Sequence, residues 1–126
     1  MSRAEQFAQA LQRLESDRDL EPFLAQFCED TLLLRPETGK HEDGLDGARR
    51  YWQAYLDQFG DISSRFDRLV DAGSLSELEW VSTGHLRSER EISYTGVSLL
   101  EHDDDGKVVR FASYYDTSAF LVAPTP

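Results

Sequence analysis

Between residues 75 and 116 the chain reads LSELEWVSTGHL (75–86), ISYTGVSLLEH (92–102) and KVVRFASYYD (107–116), three runs dominated by apolar, aromatic and β-branched residues. A charged segment, Arg87 to Glu91, separates the first two, and an Asp103-Asp104-Asp105-Gly106 turn separates the last two. Strand-forming runs punctuated by turn chemistry are the signature of an antiparallel meander. The rest of the chain is placed on that frame.

Working outward, Ile62 to Ala72 adds a strand ahead of the meander, with Ile62, Ser64, Phe66, Arg68 and Val70 on one face by the two-residue period. Before it, GARRYWQAYLDQF (47–59) puts Ala48, Tyr51, Trp52, Tyr55, Leu56 and Phe59 on one broad helical face, opened by Asp46 and Gly47 and stopped by Gly60. Asp30 to Arg35 reads as a buried strand that Pro36 ends, and residues 36 to 44 form a turn with room for a return strand. At the start, Ala4, Phe7, Ala8, Leu11 and Leu14 make the buried stripe of a helix. Ser16 to Asp19 interrupts it, and Asp19 caps a short second helix with Pro22 in its first turn and Phe23, Leu24 and Phe27 inward. After Asp116 the tail is expected to pack Phe120 and Leu121 and to fray at Pro124 and Pro126. Helices followed by a run of strands give an α+β arrangement, with helices crowding one face of a curved antiparallel sheet.

At 126 residues one domain, 1–126, is expected, since a core of this size stands alone and is not easily divided. The net charge of -11, from 24 acidic and 13 basic residues, repels polyanions and argues against a nucleic-acid partner. No apolar run approaches the ~20 residues that span a bilayer, and the amphipathic first residues lack the core of a secretion signal, so a cytoplasmic location and no membrane partner are expected. Cys28 is the single cysteine. His41, His85 and His102 stand in unrelated contexts and the aspartate run lacks the glycine and distal glutamate of a calcium loop, so neither metal nor cofactor is expected.

Three stretches carry a resemblance: DLEPFLAQFCEDTLL (19–33), DGLDGARRYWQAY (43–55), and LEWVSTGHL (78–86) together with GKVVRFASYYDTSAFL (106–121). They resemble the SnoaL-like branch of the nuclear transport factor 2-like superfamily. The resemblance implies a cone-shaped α+β fold in which three N-terminal and central helices pack on a curved antiparallel sheet around an internal pocket, with a homodimer through the outer sheet face. The same scaffold hosts ketosteroid isomerases, polyketide cyclases, epoxide hydrolases, dehydratases and proteins with no chemistry. The isomerase base, a carboxylate before the proline that ends the first strand, corresponds here to Arg35. Their oxyanion tyrosine and partner acid fall near Leu11 and Ser98, so a steroid isomerase mechanism is not implied. Asp116 looks like the region where SnoaL-like cyclases place an acid/base aspartate.

On that geometry the residues expected to face the pocket are Phe66 and Arg68, then Glu79, Val81, Thr83 and His85, then Tyr94, Ser98 and Leu100, then Val109, Phe111, Ser113 and Tyr115. The catalytic candidates are Asp116 with Tyr115 and His85. Glu79, Arg68, Tyr94, Ser98, Phe66, Phe111 and Arg35 are the substrate-contacting candidates. Each has a structural alternative: Asp116 as the cap of a terminal helix, Glu79 with Arg68 as an ion pair across strands, His85 as a half-exposed polar residue, and the tyrosines as packing residues. Trp80 and Tyr114 fall on the opposite face and mark the dimer surface. Two functions follow: cofactor-free acid/base chemistry of isomerase, cyclase or hydrolase type on a small hydrophobic ligand, or a non-catalytic ligand-binding or dimerisation module. The enzyme reading expects a closed cavity of a few hundred Å3 with Asp116 open to it.

Overall fold

Ser2 starts the first helix, its hydroxyl accepting the Glu5 N–H at 3.1 Å, one of the donors that an α-helix leaves without an internal partner. The structure is a computed structural model that describes residues 1–121. Helix α1 (Arg3–Asp17) runs past the expected break at Ser16 and ends where Arg18 takes a left-handed conformation, φ 59°. From that bend the Arg18 guanidinium donates to the Leu56 and Phe59 carbonyls at 2.6 and 3.2 Å, tying the end of α1 to the end of a later helix. Asp19 caps α2 (Leu20–Leu24) as expected.

The chain continues through β1 (Phe27–Arg35), β2 (Lys40–Asp43), α3 (Gly44–Asp57), β3 (Phe59–Ala72), β4 (Leu75–Leu86), β5 (Glu91–His102) and β6 (Val108–Tyr115), then a short 3-10 turn, Thr117–Phe120. Gly44 takes φ +72° at the junction of β2 and α3, a conformation that a side chain would strain. The six strands lie in the order β2-β1-β6-β5-β4-β3. Strands β3 to β6 form the expected antiparallel meander. The sheet as a whole is mixed rather than antiparallel, because β1 runs parallel to β6, pairing Leu33 with Phe111. No hairpin joins those two strands, so nothing local forces them antiparallel.

The three helices cover one face of this sheet. The larger core joins Phe7, Leu11 and Leu14 of α1, Phe23 of α2, and Trp52 and Leu56 of α3 to Leu33, Leu78, Leu100 and Phe111 of the strands. A second cluster is made by Phe59, Ile62, Trp80, Ile92 and Tyr94. Phe120 packs on it, its ring 4.9 Å from Tyr94 and 5.8 Å from Tyr115. Leu121 is exposed, against the expected packing, and Pro124 and Pro126 lie outside the described residues.

Candidate functional site

Between the two clusters the helices and the sheet leave a cavity of about 60 Å3, room for about two waters at ~30 Å3 each and well short of the few hundred Å3 expected. Aromatic rings form its walls: Tyr51, Trp52 and Tyr55 from α3, and Trp80, Tyr94, Phe111 and Tyr115 from the sheet. The polar lining is mainly hydroxyl, with Ser64, Ser82, Ser98 and Ser113 contributed one each by β3, β4, β5 and β6, and with Arg35 at the end of β1. The Arg35 guanidinium lies 4.4 Å from the centroid of the Tyr51 ring and 3.8 Å from Glu42, a cation held over an aromatic face.

Of the residues picked out from the sequence, Tyr94, Ser98, Phe111, Tyr115 and Arg35 line this cavity. Phe66 packs beside it without being part of its lining. The other four lie elsewhere. Asp116 points away, its carboxylate accepting the Ser118 N–H at 3.0 Å and the Ser118 hydroxyl at 2.6 Å; it is the cap of the terminal 3-10 turn, and those bonds hold its pKa below the ordinary range. His85 sits on the outer face with Nδ1 2.8 Å from Asp61, its side chain about half exposed. Arg68 and Glu79 do pair, at 3.2 Å, but on the solvent side of the sheet rather than inside it.

The inversions have two local causes. In β3 the pairing slips between Phe66 and Arg68, so Asp67 is the extra residue of a bulge that sends Arg68 outward and Leu69 inward. In β4 the inward face is Ser76, Leu78, Trp80 and Ser82, which moves Glu79, Val81, Thr83 and His85 outward together. Trp80 is therefore an inner-wall residue rather than a dimer anchor: it is 9 % exposed and its indole N–H donates to the Ser98 hydroxyl at 3.0 Å. The Ser98 and Ser113 hydroxyls are in turn 2.6 Å apart.

The group that sequence reasoning missed is Glu15. It continues the α1 stripe Phe7, Leu11 at the next four-residue step, so a carboxylate there had to be buried. It is 6 % exposed and lies behind the cavity floor. Three donors converge on it: the Tyr55 hydroxyl at 2.6 Å, the Ser64 N–H at 2.9 Å and the Ser64 hydroxyl at 2.6 Å. The Ser64 and Ser82 hydroxyls are a further 2.6 Å apart. Burial raises the Glu15 pKa above the ordinary glutamate range and outweighs the donors, which pull it down. Burial likewise pushes up the phenols of Tyr51, Tyr55, Tyr94 and Tyr115, which therefore stay neutral at physiological pH.

Among the described residues no cluster of three or more His, Cys, Asp or Glu side chains is placed to hold a metal ion, and no helix is long and apolar enough to cross a membrane. Residues 4–111 match the model of the SnoaL-like domain family. No curated protein matches the chain. Among solved structures, an NTF2-like protein of unknown function from Burkholderia pseudomallei superposes with a TM-score of 0.81 at 17% identity, covering 95% of each chain. A Mycobacterium tuberculosis protein in complex with estradiol-17beta-hemisuccinate gives 0.78 at 13% identity, covering 94% of this chain and 98% of that one. The epoxide hydrolase/cyclase-like enzyme SalBIII of pyran ring formation in salinomycin gives 0.79 at 12% identity, covering 93% and 92%. Identities this low establish a common fold.

Proposed function

The chain belongs to the SnoaL-like domain family, and from that premise we propose that it holds a small hydrophobic molecule with at least one polar group in the cavity between α3 and the sheet. One observation carries this reading: the lining is aromatic, and its polar atoms come mainly from serine and tyrosine hydroxyls and the Arg35 guanidinium, so it can hold an apolar ring and satisfy a small number of oxygens. At about 60 Å3 the cavity falls short of the ~150 Å3 that holds a benzene ring, so a single ring enters only as the walls give way, and a steroid does not fit. Asp116, turned away and bonded to Ser118, does not serve this site. Proton chemistry on a bound molecule falls to the hydroxyls and to the carboxylate behind them.

Trp80 and Trp52 stand in the cavity wall, so occupancy is readable as tryptophan fluorescence. Titration with single-ring compounds such as phenol and toluene is expected to give a saturable change with Kd on the order of a millimolar or below. The absence of saturation with any such ring would overturn the reading.

We also propose that a second copy of the chain covers the outer face of the sheet. That face exposes Tyr114 (45 %), Leu99 (39 %) and Leu75 (50 %), and the sheet there is concave around Val81, Val97 and Tyr114. Tyr114→Glu is expected to convert a dimer into a monomer in sedimentation equilibrium, whereas the Trp80 indole is turned inward to Ser98. A monomeric parent chain, or a variant that remains dimeric, would remove this surface from consideration.

A further inference from the structure

The cavity floor and the carboxylate behind it form one hydrogen-bonded chain, and its polarity is fixed by counting hydrogens. Ser64 has a single hydroxyl hydrogen. While Glu15 is ionised it can only accept, so Ser64 spends that hydrogen on Glu15 at 2.6 Å. The contact between the Ser64 and Ser82 hydroxyls, also 2.6 Å, must then run from Ser82 to Ser64. Ser82 is left with lone pairs and no hydrogen for the cavity that it lines. Protonation of Glu15 at Oε2 reverses every step: Glu15 donates to Ser64, Ser64 to Ser82, and Ser82 turns a hydrogen toward the cavity.

We propose that Ser82, Ser64 and Glu15 form a proton relay whose open end is the pocket, so that the site takes a ligand carrying an O–H donor of the phenol or enol class and can pass that proton to Glu15. This rests on the reading of the cavity as a ligand site. The transfer balances without a co-reactant. The ligand proton goes to Ser82 Oγ, the Ser82 hydrogen to Ser64 Oγ and the Ser64 hydrogen to Glu15 Oε2, while the electron pair stays on the ligand oxygen. One negative charge moves from Glu15 to the ligand. Glu15 acts through the serines and touches no ligand itself. Burial that raises its proton affinity makes it a better acceptor than a surface glutamate.

The groups facing Glu15 are Tyr55 of α3, hydrogen-bonded to it, Tyr94 of β5, and Ser64 of β3. Both tyrosines are held neutral by burial. On its own helix Gln12 is engaged with the Ser64 carbonyl and Arg18 with the end of α3. Glu15 is thus the carboxylate of this group, its pKa raised above the ordinary glutamate range by burial.

The test compares phenol with toluene, of equal size and without a hydroxyl, by tryptophan fluorescence from about pH 5.5 to 8.5, where phenol, like tyrosine with a pKa near 10, stays neutral. The affinity ratio of phenol to toluene is expected to fall about tenfold as the pH drops through the Glu15 titration, since an acceptor at Ser82 gives way to a donor. Ser64→Ala removes the hydroxyl through which both Ser82 and the pocket reach Glu15 and is expected to flatten the ratio. Glu15→Gln, which cannot take up the proton, is expected to flatten it too. A constant ratio in the parent protein, or a pH dependence that persists in Ser64→Ala, would sink the relay while leaving the ligand site intact. If neither ring binds at any pH, the ligand site fails and the relay with it. Ser64→Ala keeps the proposal testable should Glu15→Gln not fold.

Discussion

Glu15→Ala is expected to destabilise the fold by about 3 kcal/mol and to lower its melting temperature by roughly 10 °C. The carboxylate receives hydrogen bonds from Tyr55, from the Ser64 backbone and from the Ser64 side chain. Removing it strands a buried N–H and a buried phenol, each costing about 1–3 kcal/mol when left without an acceptor. It also leaves a cavity between α1 and β3. One effect runs the other way, since burial disfavours the charged carboxylate, as its raised pKa records, and alanine relieves that cost. The stranded donors are more numerous than the one charge removed, so the net effect is a loss. A melting temperature equal to that of the parent would show that the carboxylate is not held in this way.

The same residue gives a pH signature with a definite sign. The folded-state pKa of Glu15 is raised, so between the ordinary glutamate range and that higher value the native chain holds a proton which the unfolded chain has released. The unfolded state binds fewer protons there, and stability falls as pH rises. The contribution of Glu15 is therefore complete below the unfolded pKa and is lost as pH climbs through the folded one. Asp71 and Asp116 are shifted down and act with the opposite sign at lower pH. The difference between the parent and Glu15→Gln in chemical denaturation, measured from about pH 5 to 8, cancels them. It is expected to shift steadily against the parent with rising pH; a difference independent of pH would place Glu15 in an ordinary solvated state.

The meander was legible because its information is local: apolar runs of strand length, an aspartate-glycine turn, and no competing helical period. The helices were legible for the same reason, through the stripes of α1 and α3. The pairing of β1 with β6 was not, since two strands so far apart in the chain leave no turn to read. The site divided along the same line. In β5, and in β6 from Phe111 to Tyr115, the alternation is unbroken and the pattern shows the correct face; at the start of β6 the register shifts between Glu101 and His102, so that Val108 rather than the expected Val109 is the core residue. In β3 one bulged residue, Asp67, reversed the alternation for everything after Phe66. In β4 the alternation of Leu78 and Trp80 with Glu77 and Glu79 did signal the true inward face, but Val81 and Thr83 on the other face made the two sides look alike. Glu15 was hidden by the rule that a charge belongs outside. Its burial depends on Tyr55 and Ser64, forty and forty-nine residues away, and only the folded chain brings them together.

Gly96 is the position where a single methyl group is expected to do the most to the cavity itself. It lies opposite Trp80 in the β4–β5 pairing. A Cβ at this position would fall 2.5 Å from Trp80 Cζ2, 2.8 Å from Cη2 and 2.6 Å from the Tyr114 carbonyl oxygen. The carbonyl is backbone of the neighbouring strand and has nowhere to go, so the indole must move. It is fastened by its bond to Ser98 and packed edge-on against Tyr94 at 5.2 Å, which leaves the cavity as the open direction. Gly96→Ala is thus expected to cost about 3 kcal/mol, at the upper end of ordinary overpacking, and to weaken toluene binding more than tenfold. Gly60→Ala is the control, since its Cβ would meet nothing closer than the Leu86 carbonyl at 3.7 Å and should be tolerated. Parent-like stability and affinity in Gly96→Ala would mean that the indole does not lie across this glycine, and the inner wall of the pocket would have to be drawn without Trp80.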